Sequence, residues 1–288
     1  MSLISALVAI LLCIPTLVIL SHLVLPMGDT WHHLVNTVLA DYIVNTIILA
    51  LGIGSLGLFV GTGTAWLCAT FDFPGQRIFH WALLLPLAIP TYATAFSYGG
   101  LLEFSGPIQT LLRDFLGWSK GDYWFPEVRT VGGAVFVMTF VLYPYVYLLG
   151  RAAFLGQARN HDETGRTLGY SAMGVFRKIS LPLARPSLMA GGALMLMEAL
   201  SDFGAVQYLA VDTFTTGVYR TWFALGSPDE AARLASMLLL IIFLVLLIEQ
   251  KARGKARYYQ ITGRSQFKEK IKLSKIKAIV AALACFVP

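Results

Sequence analysis

The side chains in this sequence that could do chemistry are few. The most pointed pair is Glu198 and Asp202, two carboxylates four residues apart within an apolar run. At that interval they would share one face of a helix. Each costs about 2.5–3.5 kcal/mol near the centre of a bilayer, so both should meet a cavity or a partner in place of lipid. One reading has them line a path that favours a cationic solute. The other has them hydrogen-bond to neighbouring helices, with Asp202 close to the outer end of its span. His32 and His33 come next, with Asp29 and Asp41 as helpers at most. Adjacent residues on a helix do not converge, so no metal site is read there. Cys13, Cys68 and Cys285 lack metal or redox-motif spacing and read as small buried residues. No His-Glu-x-x-His, Gly-x-Ser-x-Gly or phosphate-loop motif occurs. The chain reads as a non-enzyme with no cofactor of its own.

A second kind of chemistry, recognition by a partner, is offered by Asp162 to Pro182, a polar and basic stretch between two apolar runs. Its punctuation predicts a helix, a sharp turn, a second short helix and a stop. Glu163 sits in a first turn, where a negative charge favours a helix N-terminus. Arg166 follows on the same face, and Gly169 can end the helix and bend the chain. Ser171 can cap the next turn through Val175, and Pro182 is expected to halt it.

The elements that must hold these residues are membrane helices. Hydrophobic residues make up 57% of the chain and charged residues 13%, with a mean hydropathy of +0.68. That excludes an ordinary soluble domain. Runs of about 20 apolar residues span the roughly 30 Å of hydrocarbon, and six are expected. They cover 3–25, 43–69, 78–102, 131–149, 188–209 and 231–248. The second is rich in glycine (Gly52, Gly54, Gly57, Gly61, Gly63), which favours close helix packing. Pro86 and Pro90 interrupt the third. Basic residues set the orientation. With the N-terminus inside, only Arg113, Lys120, Arg129, Arg220 and Arg233 of the 22 basic residues face outward. The rest lie in the turn with Arg77, the central loop and the tail. The fold class is therefore all-α, a polytopic membrane protein of six spans. Residues 1–250 form the helical domain, with its central loop at about 156–183. Residues 251–277 form a basic cytoplasmic linker, which is read as a juxtamembrane anchor and not as a nucleic-acid site. Residues 278–288 echo the N-terminal run and are expected to begin a second, similar half.

The central stretch resembles the coupling loop of the membrane subunits of ABC importers, whose signature runs Glu-Ala-Ala, three residues, Gly, nine residues, Ile-x-Leu-Pro. Here it stands as Glu163-Thr164-Gly165, Gly169, Ile179-Ser180-Leu181-Pro182, with the two alanines replaced. Further stretches resemble the ferric-iron branch of that family. They include Asp72-Phe73-Pro74-Gly75, Leu85-Pro86-Leu87-Ala88-Ile89-Pro90, Tyr123-Trp124-Phe125-Pro126-Glu127 and Glu198-Ala199-Leu200-Ser201-Asp202-Phe203-Gly204. The resemblance implies the first half of a permease of the bacterial inner membrane, with its N-terminus and basic tail cytoplasmic. Its implied partners are ABC ATPase subunits that hold ATP and magnesium, a periplasmic substrate-binding protein, a second permease half and membrane lipid. Glu163 and Arg166 would be polar contacts to an ATPase, and Gly169 the bend. Thr164, Gly165, Ile179, Leu181 and Pro182 complete the coupling set. Thiamine, sulfate and polyamine permeases share the loop and stand as alternatives for the cargo. A secondary transporter or channel is the alternative of a different class, although it has no use for such a loop.

Overall fold

In the computed structural model, residues 3–119, 121–157, 169–253 and 270–288 are described. They are almost wholly helical. The first part of the chain forms α1 (Leu3–Ser21), α2 (Asp29–Thr37), α3 (Leu39–Thr70), a two-residue strand β1 (Phe71–Asp72) and α4 (Gln76–Ala82). After a 3-10 turn at Leu85–Ala88 come α5 (Thr91–Leu102), α6 (Pro107–Leu116), α7 (Val131–Leu142) and α8 (Pro144–Gly156). The second part has α9 (Ala172–Val175), a π-helical turn (Phe176–Ser180), α10 (Leu181–Ser201), α11 (Gly204–Tyr208), α12 (Phe214–Phe223) and α13 (Pro228–Arg253). Strand β2 (Ile271–Lys272) and α14 (Lys275–Phe286) close it.

Among the described residues, three continuous helical stretches are long and apolar enough to cross a membrane: Leu39–Thr70, Ala172–Ser201 and Pro228–Ala252. Two bent pairs could each serve as one more. One joins Gln76–Ala88 to Thr91–Leu116 with a 99° bend, and the other joins Val131–Leu142 to Pro144–Gly156 with a 41° bend. Proline lies at both breaks, as Pro90 and Pro144, where its missing N–H and its ring interrupt the helical ladder. The expected third span is thus sharply broken. The fifth starts earlier than expected and ends at Ser201, and the first helix ends at Ser21, short of Leu25.

The chain divides into two compact units. One comprises Met1–Ala50, Ala95–Ala134 and Leu200–Leu244; the other comprises Leu51–Thr94, Val135–Ala199 and Val245–Pro288. The first unit has a core of Trp31, Leu34, Tyr42, Phe214 and Leu234. Beside it Arg233, expected in an outward loop, is instead 3% exposed in the first turns of α13. Its guanidinium pairs with Glu230 at 2.5 Å. It also donates to the carbonyls of His22 (3.0 Å), Leu25 (2.9 Å) and Pro26 (3.1 Å). Helix ends leave carbonyls without intrahelical partners, and one arginine collects those just past α1. The same unit orders the loop after α5. Arg113 donates to Tyr123 Oη at 3.0 Å, and Tyr123 in turn donates to Gln109 Oε1 at 2.8 Å. Tyr123 therefore belongs to a polar network.

In the second unit small residues do bring helices together. A Cβ on Gly61 would fall 2.6 Å from Val146 Cβ, and one on Gly191 would fall 2.8 Å from Val146 Cα. Val146 of α8 is thus clasped by α3 and α10 through two positions that only glycine can fill. Gly63 is the exception in the glycine series, since nothing lies within 4 Å of it. Tyr143 Oη donates to the Leu83 carbonyl at 3.0 Å, satisfying a polar group in a fully buried site. Strands β1 and β2 pair in parallel, Phe71 with Ile271 and Asp72 with Lys272. The far end of the expected basic linker is thereby bound to the end of α3, which hydropathy alone did not foretell.

Candidate functional site: the central turn and its supports

Of the residues expected to form the coupling set, Glu163, Thr164, Gly165 and Arg166 lie outside the described residues. The described part begins at the bend. Gly169 has φ +80°, in the left-handed region that glycine enters without steric cost. Ser171 then opens a helix as expected. Its carbonyl accepts the first intrahelical bond from Val175 N–H at 2.9 Å, and its Oγ accepts from Gly174 N–H at 3.2 Å, which satisfies one of the orphan donors of the first turn.

Pro182 does not halt the helix. It occupies the second position of α10, and residues 172–201 run on as one apolar helical stretch of 30 residues. Proline is tolerated in the first turn of a helix because its missing N–H needs no partner there. The π-helical turn at Phe176–Ser180 is the irregular joint that delivers the chain into that first turn. Ile179 and Leu181 are half-buried on this joint, and Pro182 is exposed.

Two contacts fix the joint to the rest of its unit. Gln157 Nε2 donates to the Ser180 carbonyl at 2.8 Å, tying the end of α8 to the start of α10. Phe176 stacks on Trp66 of α3 and lies 6.1 Å from the Phe154 ring of α8. The outward face is basic and aromatic: Tyr170, Met173, Arg177, Lys178 and Arg185 are exposed, and Lys178 Nζ sits 4.3 Å above the Tyr170 ring. A short, capped and braced helix with an exposed cationic face is suited to docking on another protein. Among the described residues of this stretch there is no reactive constellation.

The two acids separate. Glu198 is exposed in the last turn of α10. Asp202 lies one residue past that helix, where its Oδ1 accepts from Ala205 N–H at 2.7 Å and caps α11. The Asp202 carbonyl also accepts from Thr215 Oγ1 at 2.9 Å. His32 and His33 are exposed on α2. Arg233, the Trp66–Phe176 stack and the β1–β2 pair were not foreseen, because no local spacing rule joins residues so far apart in sequence.

The fold also occurs in importers of known structure. The chain superposes on a subunit of a bacterial ABC transporter involved in import of the acidic polysaccharide alginate, with a TM-score of 0.67 at 14% identity, over 88% of this chain and 96% of that one. It superposes on a subunit of the MetNI methionine ABC transporter with a TM-score of 0.57 at 16% identity, over 79% and 98%. The shared property is the fold.

Sequence supplies the family. Residues 57–249 match the binding-protein-dependent transport system inner membrane component, and the chain belongs to that family of multi-pass inner-membrane permeases. It is 26% identical over 260 residues to the Fe(3+)-transport system permease protein FbpB 2 of Haemophilus influenzae, covering 90% of this chain and 47% of that protein. It is 29% identical over 206 residues to the sulfate transport system permease protein CysT of Salmonella typhimurium, covering 69% and 70%. With the molybdenum transport system permease protein ModB of Escherichia coli it shares 27% over 223 residues, covering 74% and 94%. The chain spans about half the length of the iron permease.

Proposed function

We propose that this chain is the membrane-spanning component, or one half of that component, of an ATP-driven importer, and that its cargo is ferric iron. The family match over residues 57–249 carries the first part, because it includes the whole central stretch with its coupling spacing. ATP and magnesium are held by separate ATPase subunits, and hydrolysis takes place there. A periplasmic binding protein delivers the cargo, and a second permease half completes the pathway. The exposed face around Tyr170, Met173 and Arg177 lies in a groove of the ATPase, with Glu163 and Arg166 as polar contacts and Gly169 as the bend. Motor closure then moves the 30-residue stretch that the turn feeds. In this reading the turn and the basic tail are cytoplasmic.

The iron assignment rests on the alignment to the iron permease over 90% of the chain, and on Glu198, an exposed carboxylate in an apolar helix that would attract a cation. The sulfate and molybdate permeases match at similar identity and make oxyanion uptake the competing outcome. Uptake assays in a strain carrying the chain with its partner subunits decide between them. Radiolabelled ferric iron should accumulate in an ATP-dependent manner, and accumulation of sulfate or molybdate in its place would refute the iron assignment alone.

A further inference from the structure

A cavity of about 300 Å³ lies within the second unit, lined by Gln76, Arg77, His80, Trp81, Arg151 and Lys270 among others. Three of these are cations brought from three places: Arg77 from the first turn of α4, Arg151 from the middle of α8, and Lys270 from the residue before β2. The β1–β2 pairing is what delivers Lys270, since Ile271 is held against Phe71. Among the described residues none of the three cations forms an ion pair. Asp72 is the carboxylate whose charge acts on Lys270. The buried Arg151 Nε and His80 Nδ1 have no hydrogen-bond partner among the described residues.

Like charges do not gather around an open space without cost. Lys270 keeps solvent-exposed surface, but partial burial of its ammonium, then the Arg151 guanidinium, push it below the ordinary lysine range. Buried guanidinium and imidazole nitrogens lose free energy when left unpaired. A bound anion would remove both penalties at once. The cavity also has an amphipathic rim, because Trp81 is 70% exposed, and tryptophan favours the level of lipid headgroups. Basic pockets between membrane helices suit phosphate-bearing headgroups, and planar guanidinium forks suit phosphate oxygens.

We infer that Arg77, Arg151 and Lys270 form a binding site for a phosphate-bearing anion, completed by Lys270 from the far end of the basic linker. The site is separate from the coupling face and does not depend on the transport reading, because it is measured without partner subunits or uptake. It joins three segments: the end of the linker, the turn after α3, and the helix that leads into the central stretch.

The test titrates the full chain in neutral detergent with three probes: short-chain phosphatidylglycerol, short-chain phosphatidylcholine and inorganic phosphate. Phosphatidylglycerol binding tighter than phosphatidylcholine identifies a lipid headgroup, and binding of inorganic phosphate identifies the free anion; either supports the site. Lys270→Gln and Arg151→Gln should each weaken that binding by about fivefold, as expected for loss of one basic contact to an anionic headgroup. Lys277→Gln, an exposed cation on α14 outside the cavity, should leave it unchanged. Lys270 is itself exposed and lies outside the helices, so its variant reports binding even where Arg151→Gln fails to fold. The inference is overturned if neither anion binds, if phosphatidylcholine binds as well as phosphatidylglycerol and inorganic phosphate does not bind, or if Lys270→Gln and Lys277→Gln weaken binding equally.

Discussion

Trp66 and Phe176 stack with ring centroids 4.3 Å apart and planes inclined by 33°. The first lies in the last turns of α3 and the second opens the π-helical joint after the central turn, so one aromatic contact ties that joint to a long apolar helix. Trp66 also meets Phe71, itself paired with Ile271 of β2, edge-on at 5.0 Å. Force applied at the turn has a packed route into the bundle.

Trp66→Ala should therefore keep the chain in the membrane but weaken the link. Aromatic pairs contribute about 0.5–1.5 kcal/mol beyond their buried area, and loss of a half-buried indole adds a cavity penalty of about 1–2 kcal/mol. In proteoliposomes with the ATPase subunits, the expected result is ATP turnover near wild type with several-fold less cargo moved per ATP. Trp66→Phe should restore most of the ratio.

At Gly169 the left-handed φ predicts a graded series. Ala costs about 1 kcal/mol of local backbone energy, Asn less, and Pro cannot adopt the angle. Membrane insertion, followed by protein level in the membrane fraction, should be equal across the series while uptake falls from Asn to Ala to Pro. Glu163→Lys should likewise insert normally and uncouple.

Arg233 should matter for stability and not for coupling. Removing one partner of a buried, hydrogen-bonded ion pair typically costs about 3–5 kcal/mol, because the other charge is left unpaired. Arg233→Ala should lower Tm sharply in detergent. Arg233→Lys should rescue little, since a single ammonium cannot reach three carbonyls and Glu230 together.

The two acids should give different phenotypes. Asp202→Asn retains a capping side chain and should change stability by less than about 0.5 kcal/mol, whereas Asp202→Ala should cost about 1 kcal/mol. Glu198→Gln should leave Tm unchanged and alter the preference between ferric iron and oxyanions. Unchanged uptake and preference in Glu198→Gln would remove it from the path.

Most of the helices were legible because hydrocarbon imposes one rule, a long apolar run, and that rule survives without any partner residue being known. The break at Pro90 and the turn at Gly169 were legible for a similar reason, since each depends on one residue's own backbone, whereas the 41° bend at Pro144 was not read within the span 131–149. Pro182 misled because the same residue ends a helix in one place and begins one in another, and only the preceding π turn decides which. Arg233 misled because a charge beside a turn reads as exposed until the carbonyls of His22, Leu25 and Pro26 arrive from the other end of the chain. Pairing of Phe71 with Ile271, and delivery of Lys270 to Arg77 and Arg151, likewise depend on contacts across the chain that no spacing rule encodes. Of the coupling set, Gly169 and its capped helix are described, whereas Glu163 to Arg166 rest on their spacing.

The central claim is that the turn at Gly169 is gripped by a nucleotide-hydrolysing subunit. Met173, 46% exposed on the short helix that Ser171 caps, is the place to probe it. A Met173→Cys variant, made with the native cysteines replaced by serine and co-expressed with the ATPase subunits, should cross-link to an ATPase through a short bifunctional maleimide. The yield should change when ATP is added. Labelling of the same cysteine only from the periplasmic side, or a cross-link to no ATPase under any nucleotide condition, would contradict the account.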